Sequence, residues 1–111
     1  MTKEKLPMYA RSVSMRLNPN SAPEFIRTFE NDVLPLLRKQ NGFKDEITFV
    51  VPGGVEALGI SLWDRRDNAE TYDRNTYPQV LKNLAKVIEG TPKVQTYEVC
   101  NSTIHEIAAK K

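Results

Sequence analysis

Trp63 and the small residues before it have the types and the spacing of a ligand pocket. The residues that share its predicted strand face are small: Ala57, Gly59 and Ser61. They leave open space beside an indole wall, which is what a small-molecule pocket needs. A tryptophan also buries a large area in cores and at interfaces. Trp63 is therefore interpreted as a wall of a pocket or, alternatively, as an anchor of the core or of a dimer interface.

Tyr72 and Tyr77 are the other aromatic candidates. They stand five residues apart on either side of a predicted helix break. This placement suits the rim of a pocket, and it suits ordinary packing equally. The two interpretations stay open on the sequence alone.

Polar candidates offer acid–base chemistry and anion binding. His105, with an ordinary pKa of about 6.5, could act as a general base, although a lone histidine at a strand end is usually a solvated surface residue. Ser14 has no evident His–acid pair, which gives nucleophilic catalysis little support. Arg65 and Arg66 could receive an anionic substrate or a carboxylate from a partner subunit, but a charged turn needs no function.

Composition argues against several classes of protein. A chain of 111 residues is long enough for one hydrophobic core and too short for two ordinary domains. Sixteen Lys and Arg against fourteen Asp and Glu leave a net charge of +2, and the basic residues are scattered, so we expect no nucleic-acid partner. No window approaches the roughly 20 apolar residues of a membrane span, so we expect no membrane partner either.

Several cofactor and targeting motifs are missing from the sequence. One Cys, Cys100, and one His do not make a metal site or an intrachain disulfide. Gly53 and Gly54 lie in a predicted hairpin turn, not in a strand-to-helix phosphate loop. Residues 1–7 have no apolar stretch of the kind that a secretory signal needs. We therefore expect a cytoplasmic protein without a metal or a cofactor.

The first third of the chain predicts a strand and then a helix. Residues 8–17 alternate between two faces, which is typical of a strand. A helix is predicted to begin near Ala22, because Ser21 and Glu24 have the spacing of a capping box. Pro35 removes a backbone donor and predicts a kink or a broken turn near Asp32.

The middle of the chain predicts a hairpin and a second helical region. Residues 46–51 and 56–64 read as two strands joined by a Pro-Gly-Gly turn. Asp67 or Asn68 is the predicted cap of the helical region. Pro78 divides this region into a short helix or irregular turn, residues 69–75, and a main helix, residues 78–89.

The last predicted elements complete the element order of a split β-α-β fold. Gly90 is predicted to end the second helix, and residues 93–104 to form the last strand. The order β-α-β-β-α-β predicts an α+β, ferredoxin-like fold with a four-stranded antiparallel sheet and both helices on one face. We expect one domain at residues 8–105, with flexible tails at 1–7 and 106–111.

The predicted sheet has a second face that neither predicted helix covers. Tyr9, Val13 and Met15 together with Trp63 imply apolar or aromatic residues on both faces. One copy of the chain cannot bury both faces. Self-association through the uncovered face of the sheet is the simplest way to bury the second one. The sequence therefore predicts a homodimer.

Several short runs resemble the antibiotic biosynthesis monooxygenase-like (ABM) family of the dimeric α/β-barrel superfamily. The resemblance covers about residues 8–105, and four runs carry it: Asn41–Phe43, Leu62–Asp64, Asn68–Tyr72 and Thr96–Val99. It implies a dimeric α/β barrel. Relatives on this scaffold include cofactor-independent quinol or anthrone oxygenases, haem-degrading enzymes and small-molecule isomerases, so the runs indicate a fold more than a reaction.

The resemblance does not extend to the haem site of the haem-degrading relatives. Those enzymes use an Asn on the first strand, a Trp after the third strand and a His on the second helix as the iron ligand. The aligned positions here hold Ser14, Tyr72 and Lys82. Because the axial histidine is absent, haem degradation of that kind is not expected.

Cofactor-independent relatives orient and deprotonate a phenolic substrate with polar pocket residues, and the resulting carbanion then reacts with O₂. The resemblance thus implies a cofactor-independent monooxygenase acting on a small aromatic or polyketide-like compound. A non-catalytic small-molecule-binding protein and a structural dimeric barrel are the alternatives. The residues that we expect to line the pocket are Ser14, Arg16, Trp63, Tyr72, Tyr77 and His105.

Overall fold

The computed structural model describes residues 8–104, so the predicted tails and His105 lie outside the described residues. Its strands are β1 (Tyr9–Leu17), β2 (Phe43–Val50), β3 (Glu56–Trp63) and β4 (Ile88–Glu98). Its helices are α1 (Ala22–Thr28), α2 (Leu34–Arg38), α3 (Arg66–Asn75) and α4 (Tyr77–Leu84), with a π-helical segment (Phe29–Val33) between α1 and α2. The strand order is β2-β3-β1-β4 and every pairing is antiparallel, which confirms the predicted ferredoxin-like α+β fold.

The hydrophobic core lies between one face of the sheet and the helices. Leu17 and Trp63 come from the strands, and Phe25 and Val33 come from the first helical region; each is less than 2 % exposed. Because side chains alternate along a strand, the residues between these core positions lie on the opposite face of the sheet. Within residues 8–104, the four strands thus have one face under the helices and one face that no helix covers.

The first helical region begins at Ala22, as predicted, and changes pitch at the π-helical segment. Pro35 follows that segment in α2 and has no N–H for the carbonyl four residues earlier. The prediction of a kink or a broken turn near Asp32 is confirmed as an irregular turn, the π-helical segment. The predicted capping box is wrong, since Ser21 makes no side-chain cap bond; its hydroxyl donates to the carbonyls of Asn18 at 2.6 Å and Val87 at 3.1 Å.

The second helical region differs from its prediction at both ends. Helix α3 begins at Arg66 after Arg65, so neither predicted cap residue holds that position. Asn68 donates to Asp64 at 2.8 Å instead. The break before Pro78 is confirmed, because α3 ends at Asn75 and α4 begins at Tyr77.

The last strand begins five residues earlier than predicted. Helix α4 ends at Leu84, and Ile88 already pairs with Leu17 in the sheet. Gly90 does not cap a helix; it has a φ of 67° where the register between β4 and β1 shifts. A glycine in a bulge and a glycine after a helix both adopt the left-handed region, which is why the pattern predicted the wrong element.

Helices of the described part of the chain are all too short or too polar to cross a membrane.

Candidate active site

A small cavity lies between the helix-facing side of the sheet and the helices. Its volume is about 30 Å³, and all the space between its lining residues, open solvent included, is about 400 Å³. The aliphatic part of the lining comes from β1, α2, α4 and β4. The polar or aromatic residues and the glycine in the lining are Arg11, Phe29, Glu46, Gly59, Ser61, Tyr72 and Tyr77.

Arg11 carries a buried cation into this lining. Its side chain is only 3 % exposed, and Nη2 donates to Oδ1 of Asp73 on α3 at 2.6 Å. The guanidinium carbon lies 4.0 Å from the ring centroid of Tyr77 and 5.2 Å from that of Tyr72. Two aromatic faces therefore stabilise the cation by cation–π contact.

One nitrogen of Arg11 is left without a partner. Nε is buried and has no hydrogen-bond acceptor among residues 8–104. An unpaired buried donor costs about 1–3 kcal/mol. Burial of Nε therefore costs stability that no residue of 8–104 offsets with a hydrogen bond.

The strand register places a hydroxyl and a carboxylate beside Arg11. Ser61 is the partner of Arg11 across β1 and β3, and Glu46 is the partner of Ser61 across β3 and β2. These three residues form a polar row across the floor of the cavity. Ser61 accepts a hydrogen bond from the Trp63 indole at 2.9 Å and lies 3.4 Å from the Arg11 carbonyl, to which it donates.

Glu46 is partly buried at the end of this row. Burial raises the pKa of its carboxyl group, and the hydrogen bond from Thr48, 2.7 Å long, opposes that rise. Burial likewise raises the pKa of Tyr72 and of Tyr77, while the charge of Arg11 lowers both. Both phenols consequently stay protonated at neutral pH, and Glu46 is the group of the cavity best able to accept a proton.

Comparisons with known proteins identify the fold. No family model and no curated protein matches the sequence. Among solved structures, SnoaB, a cofactor-independent oxygenase from Streptomyces nogalater, aligns with a TM-score of 0.72 at 12% identity, over 87% of this chain and 97% of its own. A Bordetella bronchiseptica protein assigned to the antibiotic biosynthesis monooxygenases aligns with a TM-score of 0.70 at 14% identity, over 84% and 97% of the two chains.

A third structure carries a bound ligand. It is the monooxygenase ActVA-Orf6 of Streptomyces coelicolor in complex with nanaomycin D, and it aligns with a TM-score of 0.73 at 12% identity, over 86% of this chain and 90% of its own. This chain has the ABM fold. Identities this low assign the fold and leave the activity of the chain open.

Within the ABM fold, the tyrosines that the sequence singled out lie at the cavity. Tyr72 and Tyr77 both line it, with ring centroids 6.2 Å apart. Trp63 lies behind Tyr72 at 5.1 Å, is 0% exposed and does not line the cavity. Its position is that of a core anchor that supports a lining residue.

The other predicted site residues are not brought to this cavity. Ser14 and Arg16 are exposed on the opposite sheet face and border a separate open groove. Arg16 pairs with Glu89 at 3.3 Å. Lys82, which aligns with the iron ligand of haem-degrading relatives, is exposed on α4.

Sequence reasoning missed Arg11 and Glu46. Arg11 lies on the same β1 face as Val13 and Met15, and a charge on an otherwise apolar face was the available signal. Nothing in the sequence aligned Glu46 with Ser61, because that pairing depends on the register of the hairpin.

Proposed function

We propose that the protein is a cofactor-independent monooxygenase acting on a small aromatic or polyketide-like compound. The observation that carries the proposal is the pair of ionisable side chains, Arg11 and Glu46, on the floor of an aromatic-walled apolar cavity. The ABM fold, which SnoaB and the nanaomycin-bound monooxygenase also have, supports the same conclusion.

The proposed reaction takes its electrons from the substrate. A quinol or anthrone that loses a proton becomes an electron-rich carbanion that can react with O₂. At an anthrone methylene, one oxygen atom becomes the new carbonyl, and the other leaves as water with the two hydrogens. The apolar lining keeps bulk water away, and the cation of Arg11 favours the anionic form of the substrate.

A ring-sized substrate needs more room than the cavity volume of about 30 Å³. Pockets for such ligands measure about 300–1,000 Å³. Tyr77 and Leu81 are half-buried members of the lining, and we propose that they move outward when the substrate enters.

Oxygen uptake with a panel of quinols and anthrones tests this function. A Gly59→Val variant is expected to lower kcat/KM about tenfold. A Cβ added at this position would lie 3.3 Å from Glu46 Oε2, and the two methyl groups of valine would fill the cavity. The fold should persist because valine is a good strand former. Ile26→Val, at a residue 44% exposed on α1 and outside the cavity lining, is the matched control and should keep wild-type turnover.

Two results would contradict the proposed activity. The first is a wild-type protein that turns over no member of the panel, and the second is a Gly59→Val variant with unchanged kcat/KM. A panel member that binds without chemical change would favour the alternative of a non-catalytic binding protein. Absence of any binding would favour the structural alternative.

We also propose a homodimer formed through the sheet face that lacks helical cover. Strand pairing puts Ile47 beside Ile60 and Phe49 beside Leu58 on this face. Tyr97 lies on the same face of β4, opposite Ala10. Ile47 is 45%, Phe49 50% and Tyr97 53% exposed in the single chain. An apolar patch of this kind is typical of a self-association surface.

Phe49→Glu is expected to weaken the homodimer about 30-fold or more, because it places a charge in the apolar face of both copies. Light scattering across a concentration series measures the change. Ile26→Glu is the matched control, since Ile26 is 44% exposed on α1, away from that face. A wild-type protein that stays monomeric at micromolar concentration would refute the dimer.

We further propose residues 8–105 as a single domain and the cytoplasm as the place of action. The exposed thiol of Cys100 is compatible with a reducing compartment.

A further inference from the structure

The proposed function requires a route by which a ligand reaches the small cavity between the sheet and the helices. An open groove of about 260 Å³ lies beside that cavity, between α3 and the helix-facing side of β1 and β4. Resting on the proposed function, we propose that this groove is the entrance for the ligand and that Arg11 is the gate between groove and cavity. Asp73 and Tyr77 hold the gate shut.

Arg11 is the residue that the groove and the cavity have in common. Tyr9 on β1, Val94 on β4 and Ala69 on α3 line the groove but do not line the cavity. The two spaces therefore meet at the side chain of Arg11, which is 3% exposed and lies between them. Movement of this one side chain connects the cavity with the groove.

The contacts of Arg11 join the sheet to the two helices on either side of a break. Nη2 donates to Oδ1 of Asp73, near the end of α3, at 2.6 Å. The guanidinium carbon lies 4.0 Å from the ring centroid of Tyr77, at the start of α4. The break between these helices is at Thr76. Because Arg11 makes both contacts while it is buried, they stabilise the shut position of the gate.

The unpaired nitrogen of Arg11 favours opening of the gate. Nε is buried without an acceptor among the described residues, which destabilises the shut position. Movement of the side chain into the groove brings Nε to water and removes that cost. Asp73 is 51% exposed, so water screens part of its attraction for Arg11. The gate can therefore open while the rest of the chain stays folded.

Another groove, between the first helical region and β2, is the alternative entrance. It shares Phe29 and Glu46 with the cavity. Phe29 is a core residue, 9% exposed, and packs against Phe25 with ring centroids 5.8 Å apart. A passage between Phe29 and Glu46 therefore disturbs the core, whereas the passage at Arg11 needs one side chain to leave an ion pair and a ring contact. This difference favours the groove at Arg11.

Labelling of a thiol inside the cavity tests the gate without a ligand. Ser61 lines the cavity and is 7% exposed, so the thiol of Ser61→Cys reacts with methyl methanethiosulfonate when the cavity opens. Cys100→Ser removes the exposed native thiol from the background. Asp73→Ala should raise the labelling rate about fivefold or more, because it removes the ion pair of the shut position. Asp73→Asn keeps an acceptor without the charge and should give an intermediate rate.

Two controls separate opening of the gate from a general loss of stability. Glu70→Ala removes the ion pair with Arg66 on the same helix and in the same groove, and it should leave the labelling rate at residue 61 unchanged. Val87→Cys, in place of Ser61→Cys, reports opening of the core, since Val87 is 0% exposed and does not line the cavity. Asp73→Ala should not speed labelling of that second thiol.

The gate is overturned if Asp73→Ala does not speed labelling at residue 61, or if it speeds labelling at residues 61 and 87 equally. It is also overturned if Glu46→Ala speeds labelling at residue 61 more than Asp73→Ala does, because the entrance is then the other groove. No substrate takes part in this experiment. Faster labelling together with no oxygen uptake on any substrate would retain the gate and refute the oxygenase, and oxygen uptake with unchanged labelling would refute the gate alone.

Discussion

Replacing Trp63 by alanine is expected to lower the free energy of unfolding by about 3–5 kcal/mol. The side chain is fully buried and packs edge-on against Phe43, with ring centroids 5.7 Å apart, and against Tyr72 at 5.1 Å. Its indole N–H also donates to Ser61. The truncation removes these contacts together and leaves a cavity that the rigid sheet cannot close.

Chemical denaturation followed by far-UV circular dichroism measures this loss, since Trp63 is the only tryptophan and its fluorescence disappears with it. Trp63→Phe should cost less because it keeps one aromatic ring in the core. Ile26→Ala, at a residue 44% exposed, serves as the surface control and should cost less than about 1 kcal/mol. Equal losses for Trp63→Ala and Ile26→Ala would contradict a role for Trp63 as core anchor.

Gly42→Ala is expected to cost about 2–4 kcal/mol, from overpacking and from a left-handed backbone conformation. Gly42 has a φ of 79°, and a Cβ at this position would overlap the side chains of Asp64 and Asn68. Those two side chains hydrogen-bond to each other at 2.8 Å, and the backbone N–H of Asp64 donates to the Gly42 carbonyl at 2.8 Å. The substitution therefore disturbs the junction between β3 and α3.

Two other glycines separate the steric cost from the backbone cost. Gly53 and Gly90 have φ values of 71° and 67°, and a Cβ at either meets no heavy atom within 4 Å. Their alanine variants should lose only about 1 kcal/mol, the cost of the left-handed conformation. Thermal or urea denaturation of the three variants makes the comparison. A Gly42→Ala variant no less stable than the other two would show that Asp64 and Asn68 move aside freely.

The elements were predictable where a single local rule operates. Alternation in residues 8–17 predicted β1, and Pro35 predicted the irregular helical turn at Phe29–Val33. The prediction failed at Gly90, where a bulge in a strand and a stop after a helix require the same backbone conformation. Only the pairing of Ile88 with Leu17 distinguishes the two.

The candidate site was predictable only in part. The small residues on the Trp63 face and the two tyrosines pointed to the region of the cavity, because residue size and aromatic character are local properties. Glu46 could not be found in this way, since its neighbours in the site lie on other strands. Ser14 and Arg16 were assigned to the same pocket although they lie on the opposite sheet face, because the sequence did not reveal which face the helices cover.

The sequence by itself determined the order of the elements, the antiparallel ferredoxin-like sheet and the small-residue face that ends at Trp63. These follow from periodicity, turn residues and side-chain size, all of which act over a few neighbouring positions. Only the tertiary structure decided that Trp63 is buried behind Tyr72, and that Arg11, Ser61 and Glu46 form one row. The physical reason is strand register, which joins residues far apart in the chain and is set by the packing of the whole sheet.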